Sequence, residues 1–333
     1  MRPQLINFSG YNHLTLPSMV GLIDDRFDIV DWDPAKTYDT KGTVFVCNMY
    51  QYSLHTNGIN DLVDRGFRVV FDNLQEMVPY QIDHMRDRSN IMQMICVENT
   101  DPHDSNTQHF NTRCVPLFFW YHDGYAFRGT IGDNYLKSQE RTFTPSKKAL
   151  VLMNNPRDHR DYIVNNFSDI LSQGLYTYQH RGITLPGDES KDKMGWNRYV
   201  DISWYNETAF SVVVESQLFP GPGVIFITEK TFKPMQLMHP FMIVGCAKTL
   251  DLLRYNGFET FENWFDESYD RIYDNQKRLE TVMTQTGEFV FDGYDNITLD
   301  KLKHNRHRFY DFNEIQRRYT HDIVDPLLEF LEK

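Results

Sequence analysis

Short apolar runs alternate with longer segments of mixed polarity along the first 140 residues of the chain. Between two of these runs, Ile59, Leu62 and Val63 share one helical face, and Gly66 provides a helix end before the next run. The alternation predicts βαβ units and a parallel sheet, and so an α/β protein. The predicted buried strands are residues 5–8, 27–32, 42–48, 67–72, 91–97 and 115–120.

A polar segment at residues 141–148, which contains Pro145, separates this half from a second one. Further strands are predicted at residues 149–153, 211–215, 224–228 and 241–245. A helix is expected to start at Thr228, whose hydroxyl can cap it, and to run to His239, before Pro240. The pattern therefore predicts domains at residues 1–140 and 149–305, followed by a C-terminal helix at residues 306–333 that packs across both.

Bulk composition agrees with two globular domains. The 333 residues exceed the ~100–200 of a usual single domain. No window approaches the ~18 consecutive apolar residues that cross a bilayer. The start of the chain has no signal-peptide pattern, so a cytoplasmic protein without a membrane span is expected. A net charge of −12 argues against a general nucleic-acid coat, and the four widely spaced cysteines predict buried thiols.

Charged residues gather where a predicted strand ends and a predicted helix starts. Glu215 ends one strand, and Glu229, Lys230 and Lys233 lie in the first turns of the helix that Thr228 caps. A nucleotide-sugar donor needs a carboxylate or backbone groups for its ribose hydroxyls and positive charge for the diphosphate that leaves. The helix start adds free N–H groups and a dipole. This pattern indicates a donor site, the alternative being charges that only decorate a helix start.

A second polar group follows the predicted strand at residues 149–153. Asn154 begins the loop, and Arg157 and Arg160 lie three residues apart at a helix start, on what are expected to be neighbouring positions of one face. Both guanidinium groups could fork onto phosphate oxygens. In open α/β sheets ligands bind at the carboxyl ends of strands, and both polar groups follow predicted strands. The alternative is a solvated basic turn.

Taken in chain order, these segments resemble the donor-site motif of α1,3-fucosyltransferase-like enzymes. Residues 211–217 match its acidic strand end, residues 226–230 its Thr-Glu-Lys helix start, and Pro240 with Gly245 its following strand. The upstream segment with the two arginines is similar to the family's phosphate-binding basic segment. The resemblance covers residues 149–262.

The resemblance implies an inverting, metal-independent glycosyltransferase with two Rossmann-like domains of the GT-B type, which face a central cleft. It also implies a nucleotide-diphosphate sugar as co-substrate and no cofactor. On its residues, Glu229 would bind ribose or sugar, Lys230 and an arginine the diphosphate, and Glu215 would support the site. This chain departs from the motif at Ser216, where an asparagine is expected, and by an insertion at residues 219–223.

An inverting transfer needs a base that takes the proton of the acceptor hydroxyl. Candidates in the first domain follow predicted strands: Asp72, Glu76 and His13. Each could equally be a helix cap, a surface acid or a structural histidine. The Asp31-Trp-Asp33 segment has a metal-binding D-x-D form, but it lies in the acceptor half, so no metal site is expected there.

The acceptor is open between two kinds of hydroxyl. Basic residues between 301 and 318 could contact DNA phosphate, which would suit a transferase acting on hydroxymethylated bases, and the chain is similar in style to virus-encoded sugar-transfer proteins. The acidic net charge favours a glycan or another polar hydroxyl. A rival of another class is a non-catalytic nucleotide-sugar-binding module. Dinucleotide and P-loop enzymes lose support because their glycine motifs are missing.

Overall fold

The computed structural model describes residues 2–7, 16–47, 49–74, 88–99, 111–126, 143–186, 201–219 and 223–332. The chain forms two compact units. The first combines Met1–Ala126 with Phe312–Lys333, and the second is Phe127–Asp311.

The first unit is built on a parallel sheet of six strands in the order β2-β1-β3-β4-β5-β7. Every residue of β3 is buried, as expected for a central strand of a parallel sheet. The strands are β1 (Gln4–Asn7), β2 (Asp28–Asp31), β3 (Thr43–Cys47), β4 (Arg68–Asn73), β5 (Ile91–Ile95), β6 (Val97–Asn99) and β7 (Asn111–Cys114). The helices are α1 (Leu16–Ile23), α2 (Met49–Asp64) and α3 (Phe118–Ala126).

Helix α2 shows how the sequence pattern becomes packing. Its side chains at Ile59, Leu62 and Val63 are buried in one cluster with Val69 of β4. Gly66 follows the helix at a φ of +85°, a left-handed conformation that glycine adopts without steric cost. The predicted helix face and its end at Gly66 are confirmed.

The last part of the chain returns to the first unit. It comprises α11 (Phe312–Tyr319), a π-helical turn (Thr320–Val324) and α12 (Asp325–Glu332). The Tyr121 hydroxyl donates to the Asp322 carboxylate at 2.6 Å, and the Arg68 Nε donates to the Phe330 carbonyl at 2.8 Å. Where a single helix over residues 306–333 was predicted, the structure has this interrupted segment, preceded by the end of another helix at Phe309.

The second unit has a parallel sheet of four strands in the order β12-β10-β8-β9. Its strands are β8 (Lys147–Met153), β9 (Leu175–Tyr178), β10 (Thr208–Val214), β11 (Val224–Phe226) and β12 (Phe241–Val244). Its α-helices are α4 (Asp158–Asn166), α5 (Ser168–Leu171), α6 (Ile202–Glu207), α7 (Glu229–Gln236), α8 (Thr249–Tyr255), α9 (Asn275–Glu288) and α10 (Asn296–Phe309). Two 3₁₀ turns lie at Gln179–Arg181 and Glu267–Arg271.

Close backbone approach fixes the entry into β9. A Cβ added to Gly174 would lie 2.1 Å from the Ala149 carbonyl oxygen of β8, so only glycine fits there. Every residue of β10 is buried, as expected for a strand with neighbours on both sides. Both units are thus Rossmann-like, and the predicted α/β class with parallel sheets is confirmed.

Candidate functional site

The strand order of the second unit defines where a ligand would bind. From β8 the chain moves to β9 on one side of the sheet, and the later strands β10 and β12 lie on the other side. In parallel α/β sheets the crevice outside the carboxyl ends of the strands, at such a reversal, is the usual ligand site. Here that place lies between the ends of β8 and β10, which are followed by Asn154–Arg157 and by Glu215–Gln217.

Arg157 joins these two strand ends. It is exposed and occupies the N-cap position of α4 in an extended conformation. Its Nε donates to the Ser216 carbonyl at 3.2 Å, and its Nη1 donates to the Pro156 carbonyl at 2.9 Å. Asn154 is half-buried at the end of β8, and its carbonyl accepts the His180 amide at 3.3 Å. The guanidinium is therefore placed at the reversal point with an open side toward solvent.

Arg160 also reaches the end of β10, but it is buried where Arg157 is exposed. It is only 2% exposed. Its Nη1 donates to the Asn155 carbonyl at 2.9 Å, and its Nη2 lies 3.3 Å from the carbonyls of Val214 and Glu215. Those backbone acceptors hold the guanidinium inside the unit, between the ends of β8 and β10.

The Glu215 side chain is fully buried at the end of β10. Its Oε1 accepts the Thr228 amide at 3.0 Å and the Thr231 hydroxyl at 2.7 Å. Its Oε2 accepts the Thr228 hydroxyl at 2.5 Å and the Ser216 amide at 3.3 Å. The carboxylate thus connects β10 to the start of α7.

His159 contacts the same residue from α4. Its Nε2 lies 3.0 Å from the Glu215 carbonyl oxygen, so the ring donates from that nitrogen. Burial, with further lowering from the neighbouring Arg160 and Arg157 charges, lowers the pKa of His159 to about 4, although the hydrogen bond to Glu215 opposes this. The imidazole is therefore neutral at physiological pH.

Thr228 caps α7, as the sequence predicted, and the two residues after it form an ion pair. The Thr228 hydroxyl accepts the Lys230 amide, and the Lys230 Nζ lies 2.6 Å from the Glu229 Oε1. The side chains of Glu229 and Lys230 are 14% and 24% exposed, so the pair is partly desolvated. Lys233 follows one turn later, half-buried, on the same helix.

The electrostatics of α7 keep Glu229 ionised. Burial is the largest single influence on the pKa of Glu229 and raises it. The ammonium groups of Lys230 and Lys233, together with hydrogen bonds from the Lys230 side chain and the backbone, hold the pKa below its ordinary value. An ionised carboxylate that is only 14% exposed and adjacent to positive charge is suited to accept hydrogen bonds from a ligand's hydroxyl groups.

Of the predicted bases, only Asp72 lies within the described residues; Glu76 and His13 lie outside them. Asp72 is half-buried near the end of β4, and its Oδ1 accepts the Leu74 amide at 3.2 Å. Burial raises the pKa of Asp72, while backbone hydrogen bonds and the nearby His122 oppose this. A carboxylate with a raised pKa is a better proton acceptor.

Sequence reasoning missed a second titratable pair beside Asp72. On α3 the His122 Nδ1 lies 3.0 Å from the Asp123 Oδ1, and both residues are buried. A carboxylate that holds one ring nitrogen orients the imidazole and leaves the other ring nitrogen to face a different partner. The signal was available, because His122 and Asp123 are adjacent shortly after a strand end.

The basic residues near the end of the second unit contact their own fold. Lys301 donates to the Thr260 carbonyl and to Glu262, both at 2.7 Å, and His304 Nε2 lies 2.8 Å from the Gly257 carbonyl. Arg308 donates to the Asn256 carbonyl at 3.1 Å. In the first unit, Arg317 and Arg318 both pair with Glu314. These contacts explain the basic cluster by packing and surface ion pairs.

Among the described residues, no group of three or more His, Cys, Asp and Glu side chains is placed to hold a metal ion. The predicted D-x-D acids have local partners: Asp31 accepts from Asn7 at 3.3 Å, and Asp33 accepts the Ala35 amide at 2.9 Å. Within the same part of the chain, no helix has the length and apolarity to cross a membrane.

Fold and site together define an α/β protein in which the sheet reversal of the second unit carries an exposed arginine and a carboxylate–ammonium pair. No protein-family model matches the chain, and no curated protein matches it. Among solved structures, one similar chain is that of the crystal structure of an α1,3-fucosyltransferase. It is 11% identical, with a TM-score of 0.49, and the match covers 100% of this chain and 91% of that one.

Proposed function

We propose that this protein is a glycosyltransferase that moves a sugar from a nucleotide-diphosphate donor to a hydroxyl group. One observation carries the proposal. At the reversal of the second sheet, Arg157 lies at the end of β8, and the Glu229–Lys230 pair is tied to the end of β10 through Glu215. Positive charge and an ionised carboxylate therefore lie at the place where α/β sheets bind nucleotides.

Each group suits one part of such a donor. Lys230 and Arg157 would hold the diphosphate, because cationic donors stabilise the charge that grows on the leaving phosphate. Glu229 would accept hydrogen bonds from ribose or sugar hydroxyls. Lys233 and the N-terminal dipole of α7 add positive potential, and Asn154 lines the same strand end. These cationic groups support a transfer that needs no metal.

The proposed reaction is a single displacement with inversion. The acceptor oxygen forms a bond to the anomeric carbon while the bond from that carbon to the phosphate oxygen breaks, and the nucleoside diphosphate leaves with the electron pair. The acceptor proton passes to a base, for which the first unit offers Asp72 and, beside it, His122 held by Asp123. The acidic net charge favours a glycan or another polar hydroxyl as the acceptor.

Measurements of nucleotide binding and of turnover distinguish the proposed enzyme from a non-catalytic binding module. Titration calorimetry with UDP and GDP, followed by assays of nucleotide release from a panel of nucleotide sugars, is expected to show binding of one nucleotide and release from its sugar. Lys230→Ala should abolish most of both, whereas Arg317→Ala, a surface arginine of the first unit, should change neither. Binding without turnover on any acceptor would indicate a non-catalytic module. Failure to bind either nucleotide would refute the proposal.

A further inference from the structure

All four acceptor positions that the fold uses on Glu215 lie inside the second unit. Both carboxylate oxygens accept two hydrogen bonds each, from Thr228, Thr231 and Ser216, and the residue is 0% exposed. A fully buried carboxylate with these donors has no surface to offer a ligand. In this arrangement Glu215 can support the site without contacting a donor itself, which is the role that the resemblance implied.

The backbone of Glu215 is held as firmly as its side chain. Its amide donates to the Val244 carbonyl of β12 at 3.0 Å. Its carbonyl accepts from His159 at 3.0 Å and from Arg160 at 3.3 Å. Gly245 packs beside it, since a Cβ there would lie 3.6 Å from the Glu215 Cγ. Backbone and side-chain hydrogen bonds together hold the carboxylate in place.

Thr228 connects the Glu215 carboxylate to the ion pair of Glu229 and Lys230, and this connection is called the relay below. Its hydroxyl has a single proton, which it donates to Glu215 at 2.5 Å. The lone pairs of the same oxygen are then left to accept, and both the amide and the Nζ of Lys230 lie 3.4 Å away. The buried carboxylate thereby fixes the direction of the Thr228 hydroxyl, and the hydroxyl helps to hold the Lys230 ammonium beside Glu229.

We propose that Glu215 is a positioning residue, which acts through the Thr228 hydroxyl to set the place of the Lys230 ammonium and of the Glu229 carboxylate. This inference rests on the proposed function, in which Lys230 and Glu229 bind the donor. Arg160 and His159 belong to the same arrangement, since they hold the Glu215 carbonyl. Their role is likewise in the placement of the strand end.

Glu215→Gln tests the relay with little change of shape. If the new amide nitrogen faces the Thr228 hydroxyl, the hydroxyl oxygen must accept a hydrogen bond from it. The proton of the Thr228 hydroxyl, and no longer a lone pair, then points toward Lys230. Thr228→Val removes the relay, and Thr228→Ser keeps it. Ser211→Ala is the matched control, because Ser211 lies on the same strand and its hydroxyl makes a buried 2.7 Å hydrogen bond to His239.

Two measurements test the relay: an NMR titration of the protein without a ligand, and calorimetry with nucleotides. Carboxyl NMR titration should show the pKa of Glu229 moving up toward its ordinary value in Glu215→Gln and Thr228→Val, but not in Thr228→Ser or Ser211→Ala. Calorimetry with GDP and UDP should show the bound nucleotide weakened about tenfold in the first two variants only. In the double variant Glu215→Gln with Lys230→Ala, affinity should match that of Lys230→Ala alone, because Thr228 reaches Glu229 through the Lys230 ammonium.

Three results would overturn the inference: an unchanged Glu229 pKa in both relay variants, equal nucleotide loss in Ser211→Ala, or additive losses in the double variant. If the wild-type protein binds no nucleotide, the proposed function fails. The NMR titration still decides whether Glu215 places the pair, so the two failures remain distinct. If Glu215→Gln does not fold, the comparison of Thr228→Val with Thr228→Ser carries the test.

Discussion

The Arg157 Nε and the Ser216 carbonyl oxygen lie 3.2 Å apart, and this hydrogen bond connects the segments that follow β8 and β10. It crosses the point at which the second sheet reverses its order. The Nη1 also donates to the Pro156 carbonyl at 2.9 Å, and the residue is exposed, so the guanidinium can approach an anion without leaving Ser216. An arginine held by two backbone carbonyls and exposed to solvent is preorganised for phosphate.

Arg157→Ala is expected to weaken nucleoside diphosphate binding by about tenfold to a hundredfold, the range for hydrogen bonds to a charged group. Because the residue is exposed, the free energy of unfolding should change by no more than about 0.5 kcal/mol. Calorimetry and urea unfolding measure the two quantities. A variant with unchanged affinity would remove Arg157 from the site.

Arg160→Ala should behave in the opposite way. The substitution removes the guanidinium that donates to the carbonyls of Asn155, Val214 and Glu215, of which the Glu215 carbonyl keeps His159, and we expect the free energy of unfolding to fall by about 3 kcal/mol. Urea unfolding beside Arg157→Ala gives the comparison. Equal stability of the two variants would show that the inward arginine contributes nothing to the fold.

Glu229 should make stability depend on acid pH. Its pKa is held below the ordinary value in the folded protein, so the stabilisation by Lys230 and Lys233 is complete above the unfolded-state pKa and is lost as pH falls through the folded-state pKa. The stability difference between wild type and Glu229→Gln should therefore shrink as pH is lowered from about 6 to about 3. Glu288→Gln, at an exposed position on α9, is the control. If its stability difference from wild type shrank in the same way, the pH dependence would not come from Glu229.

Asp270 gives the reverse dependence. Burial raises its pKa to about 6, although it accepts the amides of Leu250 and Asp251. Between the ordinary Asp pKa and that value the folded state binds more protons than the unfolded state, so stability falls as pH rises through this window. Asp270→Asn should lack this slope. Melting temperatures measured across the window test it, and identical slopes in both proteins would argue against a raised pKa.

Substitutions of Asp72 and His122 can identify the group that takes the proton of the acceptor hydroxyl. Asp72→Asn is expected to lower the rate of sugar transfer by about a hundredfold while nucleotide affinity stays unchanged, because a general base contributes only to the chemical step. Asp61→Asn, an exposed acid of α2, is the control. If His122→Gln alone lowers the rate, the histidine is the base. If neither does, the acceptor proton goes elsewhere.

Local features could be predicted from sequence because they depend on near neighbours. The Thr228 cap requires only a hydroxyl before a helix, and Gly66 requires only a left-handed residue after one. Strand order is different. Nothing in a short apolar run says which other run pairs with it, so the reversal between β8 and β10 emerged only from the assembled sheet.

The burial of individual side chains was the second feature that the sequence could not predict. Residues three apart on a helix are neighbours, but that spacing does not distinguish Arg157, at the cap, from Arg160, inside the first turn. The cap residue has extended backbone angles, so the helical spacing rule does not fix the direction of its side chain. Glu215 was grouped correctly with Thr228, but its burial was not visible, because charged residues are expected at surfaces.

The return of residues 312–332 to the first unit has a consequence for synthesis on the ribosome. The second unit is one continuous stretch, so it can fold as soon as it has emerged. The first unit can complete its fold only after residues 312–332 have emerged, because Tyr121 hydrogen-bonds Asp322 and Arg26 pairs with Asp325. We expect the nascent chain to complete its later half before its earlier one, an inversion of the usual order in which domains emerge and fold.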